Sequence, residues 1–210
     1  HLEGYIADIA KTVIVSGGKN KLIKASEKAL EEVLDFIKPG VLTNEIGAIV
    51  EKTISDYGYS PISNLTGHKL SQWTLHGGIL IPNVETRHGD EIKEGDVYAI
   101  EPFSTTGKGR VKDDANAIIF KFLEDKPQRL RDARTILNHV EKNYSSLPFA
   151  ERWISNIVPK FKLNQALRQL ISSKSLYAYH ILKEKEKSLV AQTQHTVIIK
   201  KDGCEITTLI

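Results

Sequence analysis

Four side chains combine a group that can do chemistry with a setting that would hold it rigid. Asp8 follows Tyr5-Ile6-Ala7, His68 follows Asn64-Leu65-Thr66-Gly67, His76 lies in Leu75-His76-Gly77-Gly78, and Glu101 closes Tyr98-Ala99-Ile100 just before Pro102. Carboxylates and imidazoles on neighbouring strands are the donors a divalent cation needs, because oxygen and nitrogen ligands must converge from rigid elements. Each residue also has an ordinary reading. An aspartate after a strand caps a turn, a glutamate before proline ends a strand in solvent, and a histidine before Gly-Gly hydrogen-bonds a loop. Spacing alone leaves both readings open. His88 reads as part of a surface loop, and His139 and His180 fall in a separate helical region, so none of them is given a role. HExxH, CxxC, GxSxG and P-loop patterns are absent, which leaves zincin, zinc-ribbon, serine-hydrolase and NTPase chemistry without support.

The elements that must position these groups show as changes of periodicity. Residues 2–15 are rich in β-branched side chains and end at Ser16-Gly17-Gly18, which predicts one or two strands. Across 19–37 the apolar residues Leu22, Ile23, Ala29, Leu30, Val33, Leu34 and Ile37 recur at helical spacing, and Pro39-Gly40 stops them. Thr43 opens a second helix carrying Ile46, Ile49, Val50 and Ile54, closed by Gly58. Short β-rich runs follow at 75–81, 97–101 and 117–122, the pattern of an antiparallel sheet and an α+β class.

Residues 125–187 change character again. Leu130, Ala133, Ile136, Leu137 and Val140 predict one amphipathic helix. Pro148 opens a second with Phe149 and Trp153 on one face, and Leu163, Ala166, Leu167, Leu170 and Ile171 mark a third. A strand at 176–182 and the charged turn Glu184-Lys185-Glu186-Lys187 complete a winged-helix-like insertion, expected to pack Trp153, Phe149 and Leu167 in its own core. The runs 195–200 and 205–210 flank Asp202-Gly203 as a closing hairpin. The expected organisation is therefore one α+β domain, 1–124 with 188–210, interrupted by a helical insertion at 125–187.

Composition bounds the rest. A chain of 210 residues with 40% apolar content fits one globular domain with an insertion. Its net charge of +3 comes from 29 basic and 26 acidic residues, too balanced to point to nucleic acid or a membrane surface. The lone Cys204 rules out an internal disulfide and suits a reducing, cytoplasmic compartment. No apolar run approaches the roughly 18 residues of a membrane span. The chain has no Met and begins at His1, which predicts that His1 is not a native start: either the chain is a fragment or processed piece, or residues preceding it are missing.

Five segments in order carry a resemblance: residues 2–10 (Leu-Glu-Gly-Tyr-Ile-Ala-Asp-Ile-Ala), Gly67-His68-Lys69-Leu70, Leu75-His76-Gly77-Gly78, Ala99-Ile100-Glu101-Pro102-Phe103 and Ala191-Gln192-Thr193-Gln194-His195-Thr196. The chain resembles type II methionine aminopeptidases of the archaeal style, and the segment Leu147-Pro148-Phe149-Ala150-Glu151-Arg152-Trp153 is similar to their helical insertion. The resemblance implies the pita-bread (creatinase/aminopeptidase) fold, a curved antiparallel sheet flanked by helices, with the first half largely absent here. It implies two divalent ions (cobalt, manganese, iron or zinc), removal of initiator methionine before a small second residue, and nascent polypeptide N-termini as partners near the ribosome.

Carried over residue by residue, Asp8 matches the aspartate that bridges both metals and His68 matches the histidine ligand. Glu101 matches the glutamate that is ligand and acid/base, and His76 the histidine that binds the substrate peptide. The family's other aspartate would precede His1. Its second bridging glutamate falls at Gln194, a neutral and poorer ligand for a hard cation. Lower metal occupancy and impaired activity follow. The alternative is a catalytically dead relative that binds proteins or RNA. A peptidase acting on Xaa-Pro bonds is disfavoured by the insertion and by the Gly67-His68-Lys69-Leu70 motif.

Overall fold

The computed structural model describes residues 1–18, 20–184 and 188–209. The chain forms two compact units, residues 1–112 with 183–210, and residues 113–182.

In the first unit, β1 (Ala10–Lys11) is followed by helices α1 (Lys21–Phe36) and α2 (Thr43–Asp56). Then come β2 (Ser60–Pro61), β3 (Thr66–Leu70), β4 (Leu80–Pro82), β5 (Val97–Ile100) and β6 (Phe103–Thr105). After the second unit, with its β7 to β9 and α3 to α5, the chain returns as β10 (Val190–Lys200) and β11 (Gly203–Ile206). The strands make one sheet in the order β2-β6-β10-β5-β3-β4, with β1 and β11 also paired to β10. Among the described residues, β1 is all that forms of the strands expected over 2–15, and only the end of the run 75–81 is extended, as β4.

Alternation divides this sheet into two faces. Tyr98 and Ile100 of β5 and Val197 and Ile199 of β10 are buried against Leu30, Val33 and Ile37 of the first helix region and Ile46, Val50 and Ile54 of α2. Burying each such side chain contributes roughly 1.5–3 kcal/mol. The Asn20 side chain caps α1 by accepting from the Leu22 N–H at 2.8 Å. The Glu45 carboxylate accepts from the Leu42 N–H at the start of α2. The intervening residues Ala99, Glu101, Gln192, Gln194 and Thr196 therefore share the opposite face.

The second unit holds β7 (Lys112–Phe122), α3 (Arg131–Tyr144), β8 (Pro148–Ala150), α4 (Glu151–Ile154), α5 (Lys160–Ser172) and β9 (Leu176–Lys183), with a sheet ordered β8-β7-β9. Its core includes Phe120, Ile136, Leu137, Val140, Phe149, Leu163, Leu167 and Leu170. Three expectations need correction. The run 117–122 lies in β7 of this unit, because its partners are β8 and β9; the unit accordingly begins at Asp113 and ends at Leu182 rather than spanning 125–187. Pro148 opens a strand, not a helix, with Phe149 paired opposite Phe120. That strand changes the phase between Phe149 and Trp153, so Trp153 is 51% exposed instead of in the core. It lies beside Tyr144 and under the Arg152 guanidinium. Of the charged turn, residues 185–187 lie outside the described residues, as does Ile210 of the closing hairpin.

Candidate metal centre

The register of three strands builds the site. β3 and β5 pair with His68 opposite Ala99. β10 pairs with β5 and β6 with His195 opposite Ile100 and Gln192 opposite Phe103, so Gln194 faces Glu101. On the other edge of β10, Ala10 pairs with Gln194, which sets Asp8 two residues away on the same face. Ala99 presents only a methyl group between His68 and Glu101, leaving room for their side chains.

His68, Asp8 and Glu101 meet there. The His68 Nε2 is 3.4 Å from Glu101 Oε1 and 3.7 Å from Asp8 Oδ2. His68 and Glu101 are nearly enclosed, with side chains 6% and 11% exposed, and Asp8 is more open at 29%. His76 reaches the same place from the loop after β3. Its ring centroid lies 4.5 Å from that of His68, tilted by 60°. Gly77 makes this return possible. Its N–H donates to the Lys69 carbonyl at 2.7 Å, so close that a Cβ at Gly77 would lie 2.9 Å from that oxygen.

Two residues without an assigned role complete the arrangement. Gln192 Nε2 donates to Glu101 Oε2 and to Gln194 Oε1, both at 3.0 Å. The buried Thr196 hydroxyl accepts from the Asp8 N–H and donates to the Asp8 carbonyl, both at 2.8 Å. The signal for both was the unbroken polar run Gln192-Thr193-Gln194-His195-Thr196 inside a strand with apolar residues on both sides of it. It marks a polar stretch, but the partners lie far away in sequence. Replacing Thr196 with the isosteric Val removes both bonds that tether Asp8. The expected loss is about 1–3 kcal/mol in urea denaturation, and a change below about 0.5 kcal/mol would contradict the tether.

Electrostatics follow from enclosure. Burial pushes the Glu101 carboxyl up to about 8, Asp8 beside it adds to the rise, and the Gln192 hydrogen bond opposes it. Burial also raises Asp8, against the opposing effects of a hydrogen bond from Gln194 and the charge of His76. His68 is pushed down to about 4 by burial and by His76, partly offset by the backbone of Leu75 and Lys69. It is therefore neutral at pH 7, so its short approaches to the two carboxylates are not an ion pair.

A neutral imidazole facing two carboxyl groups, which a bound cation would keep ionised, is the donor chemistry of a divalent-cation site. Among the described residues, no group of three or more His, Cys, Asp or Glu side chains is placed so that it could hold a metal ion as it stands. Ligands bound at about 2.1 Å sit roughly 3.0–3.4 Å apart. The two separations at Nε2 thus need contraction of at most a few tenths of an ångström. Asp8, His68 and Glu101 are therefore candidate ligands for one cation once these separations contract. Gln194, held as an acceptor by Gln192, adds no charge.

Comparison with known proteins identifies the family. The model of metallopeptidase family M24 matches residues 1–126. A protein named methionine aminopeptidase from Methanothermobacter thermautotrophicus is 44% identical, covering 99% of this chain and 71% of its own length. One of the same name from Thermococcus onnurineus is 47% identical, with the same coverage. Among solved structures, a thermophilic Arx1 superposes with a TM-score of 0.82 at 18% identity, over 97% of this chain and 63% of that one. At that identity the likeness bears on the fold alone, and the chain spans less than two thirds of that structure's length. With a family model covering over half its length and relatives above 40% identity, this chain belongs to metallopeptidase family M24, type II methionine-aminopeptidase-like, with the pita-bread fold.

Proposed function

We propose that the chain carries the metal centre of a methionine aminopeptidase, removing the initiator methionine from nascent polypeptides whose second residue is small. The observation that carries this reading is the meeting of Asp8, His68 and Glu101 on one face of the sheet, with His76 against His68. The relatives named methionine aminopeptidase support it.

Asp8, His68 and Glu101 would hold the ion, which when bound supplies a water of lowered pKa and polarises the scissile carbonyl. Cobalt, manganese, iron and zinc are the candidate metals. Glu101 takes the proton of the attacking water and delivers it to the leaving amine. Its carboxyl is enclosed on the sheet, where transfer does not compete with bulk solvent. Gln192 fixes one Glu101 oxygen, so the other faces the reaction. His76, on the exposed side of the cluster, is placed to hydrogen-bond the substrate peptide. The cytoplasm, close to translating ribosomes, is where such substrates arise.

Gln194 lowers the activity, because it leaves an amide where the family sets a second bridging carboxylate. Incubation with Met-Ala-Ser and Met-Arg-Ser peptides in the presence of Mn²⁺ tests the reading. Slow release of methionine from Met-Ala-Ser alone, stopped by EDTA, is expected. Cleavage that ignores EDTA, or cleavage of an Xaa-Pro peptide instead, would contradict it. The amide link between Glu101 and Gln194 also favours a second reading, a non-catalytic relative that binds protein or RNA. On that reading no peptide is cleaved even after Gln194→Glu.

A further inference from the structure

We propose that Gln192 and Gln194 together take the place of a second cation, so that the site binds one divalent ion. The inference rests on the metal-centre reading above. Neighbouring even positions on β10 put both amides on the face that carries Glu101 and Asp8. Gln192 Nε2 lies 3.0 Å from Glu101 Oε2 and 3.0 Å from Gln194 Oε1. Gln194 is 4% exposed, and its pairing with Ala10 sets Asp8 two residues away on the same face. The two amides thus form a link from Glu101 through Gln192 to Gln194, beside Asp8. Glu101 receives an N–H along it, which is the neutralising contact a cation would otherwise give.

The orientation of this link opposes a second ion. The one neutral oxygen that Gln194 can offer already accepts from Gln192, which leaves it a single uncharged lone pair. The Gln192 N–H points at Glu101 and presents positive hydrogen to any cation placed there. Turning the Gln194 amide over would free its oxygen, but it would set its NH₂ against the NH₂ of Gln192. The charge agrees. Among the described residues Asp8 and Glu101 are the acidic groups at the site, enough to balance one divalent ion, and Gln194 brings no charge toward a second. Glutamate at 194 would reverse each of these points. It would bring a third negative charge, accept from Gln192, and leave lone pairs directed at the space beside Asp8.

Native mass spectrometry of the metal-free protein titrated with Mn²⁺ counts the ions. One Mn²⁺ per chain is expected, rising to two in Gln194→Glu, with His68→Ala losing the first. Two ions in the unaltered protein, or one in both it and Gln194→Glu, would overturn the proposal. Binding of no Mn²⁺ by either form would overturn the metal-centre reading itself. Electron paramagnetic resonance of the unaltered protein with excess Mn²⁺ keeps the question open to refutation even where Gln194→Glu folds poorly. An isolated six-line Mn²⁺ signal is expected, and an exchange-coupled pair would contradict the proposal.

Discussion

Replacing Glu101 with Gln is expected to stabilise the metal-free protein at pH 9 while removing its activity. The sign follows from the direction of the shift. The Glu101 carboxyl is raised from 4.5 to about 8 by burial and by Asp8. The folded protein therefore holds a proton that the unfolded chain releases. Stability from this group is complete below pH 4.5 and is lost as pH rises through 8. Gln keeps the shape, still accepts from Gln192 Nε2, and carries no charge to bury. In urea denaturation with EDTA, wild type and Glu101→Gln should coincide near pH 4.5 and separate above pH 8 by roughly 2–4 kcal/mol, within the limit of 1.36 kcal/mol per pK unit. Equal stability at pH 9 would mean that Glu101 ionises freely and that the enclosure is not felt. Activity moves the other way. Without the group that transfers the proton, the rate should fall by about 10²–10⁴-fold. His68 gives the acid limb. It is lowered from 6.5 to about 4, so its contribution is present above pH 6.5 and lost as pH falls through 4.

Gln194→Glu is expected to raise methionine release from Met-Ala-Ser by about 10²-fold, on the order of 2.7 kcal/mol of barrier. The new carboxylate is nearly the shape of the amide, so the strand pairing of β10 with β1 and β5 should survive. What changes is charge at a buried position facing Glu101, and with it the anionic oxygen available to metal and to the attacking water. Initial rates at saturating Mn²⁺ measure the effect. If the Gln form already cleaves as fast as the Glu form, then Gln194 does not occupy the bridging position. The placement of the closing hairpin relative to Glu101 would then be wrong.

The parts of this arrangement that were legible in sequence are those written in local alternation. At the end of β5, Glu101 stands out in the sequence as an ionisable residue closing the apolar run Tyr98-Ala99-Ile100, and the structure buries that run with Glu101 at its end. The spacing in α1 and α2 likewise marked the face that packs on the sheet. Long-range register was not legible. Nothing near Gln192 in sequence shows that it lies against Glu101, because that contact depends on how β10 seats between β1 and β5. The Thr196 hydroxyl spans an even longer separation to reach Asp8. Trp153 was misplaced for a related reason. A helical period was extended through residues 148–153, where pairing of β8 with β7 makes the backbone extended and resets which side faces inward. The same pairing moved the run 117–122 into the second unit. Strand partners, unlike helix faces, are fixed by segments far off in the chain.

Crystals of the protein soaked in Mn²⁺ and measured for anomalous scattering test whether Asp8, His68 and Glu101 form a cation site. One peak is expected roughly 2.0–2.3 Å from His68 Nε2 and from an oxygen of each carboxylate, with the Gln192–Gln194 link intact beside it. Soaked crystals with no peak there, and with His68 Nε2 still 3.4 Å from Glu101 and 3.7 Å from Asp8, would contradict it.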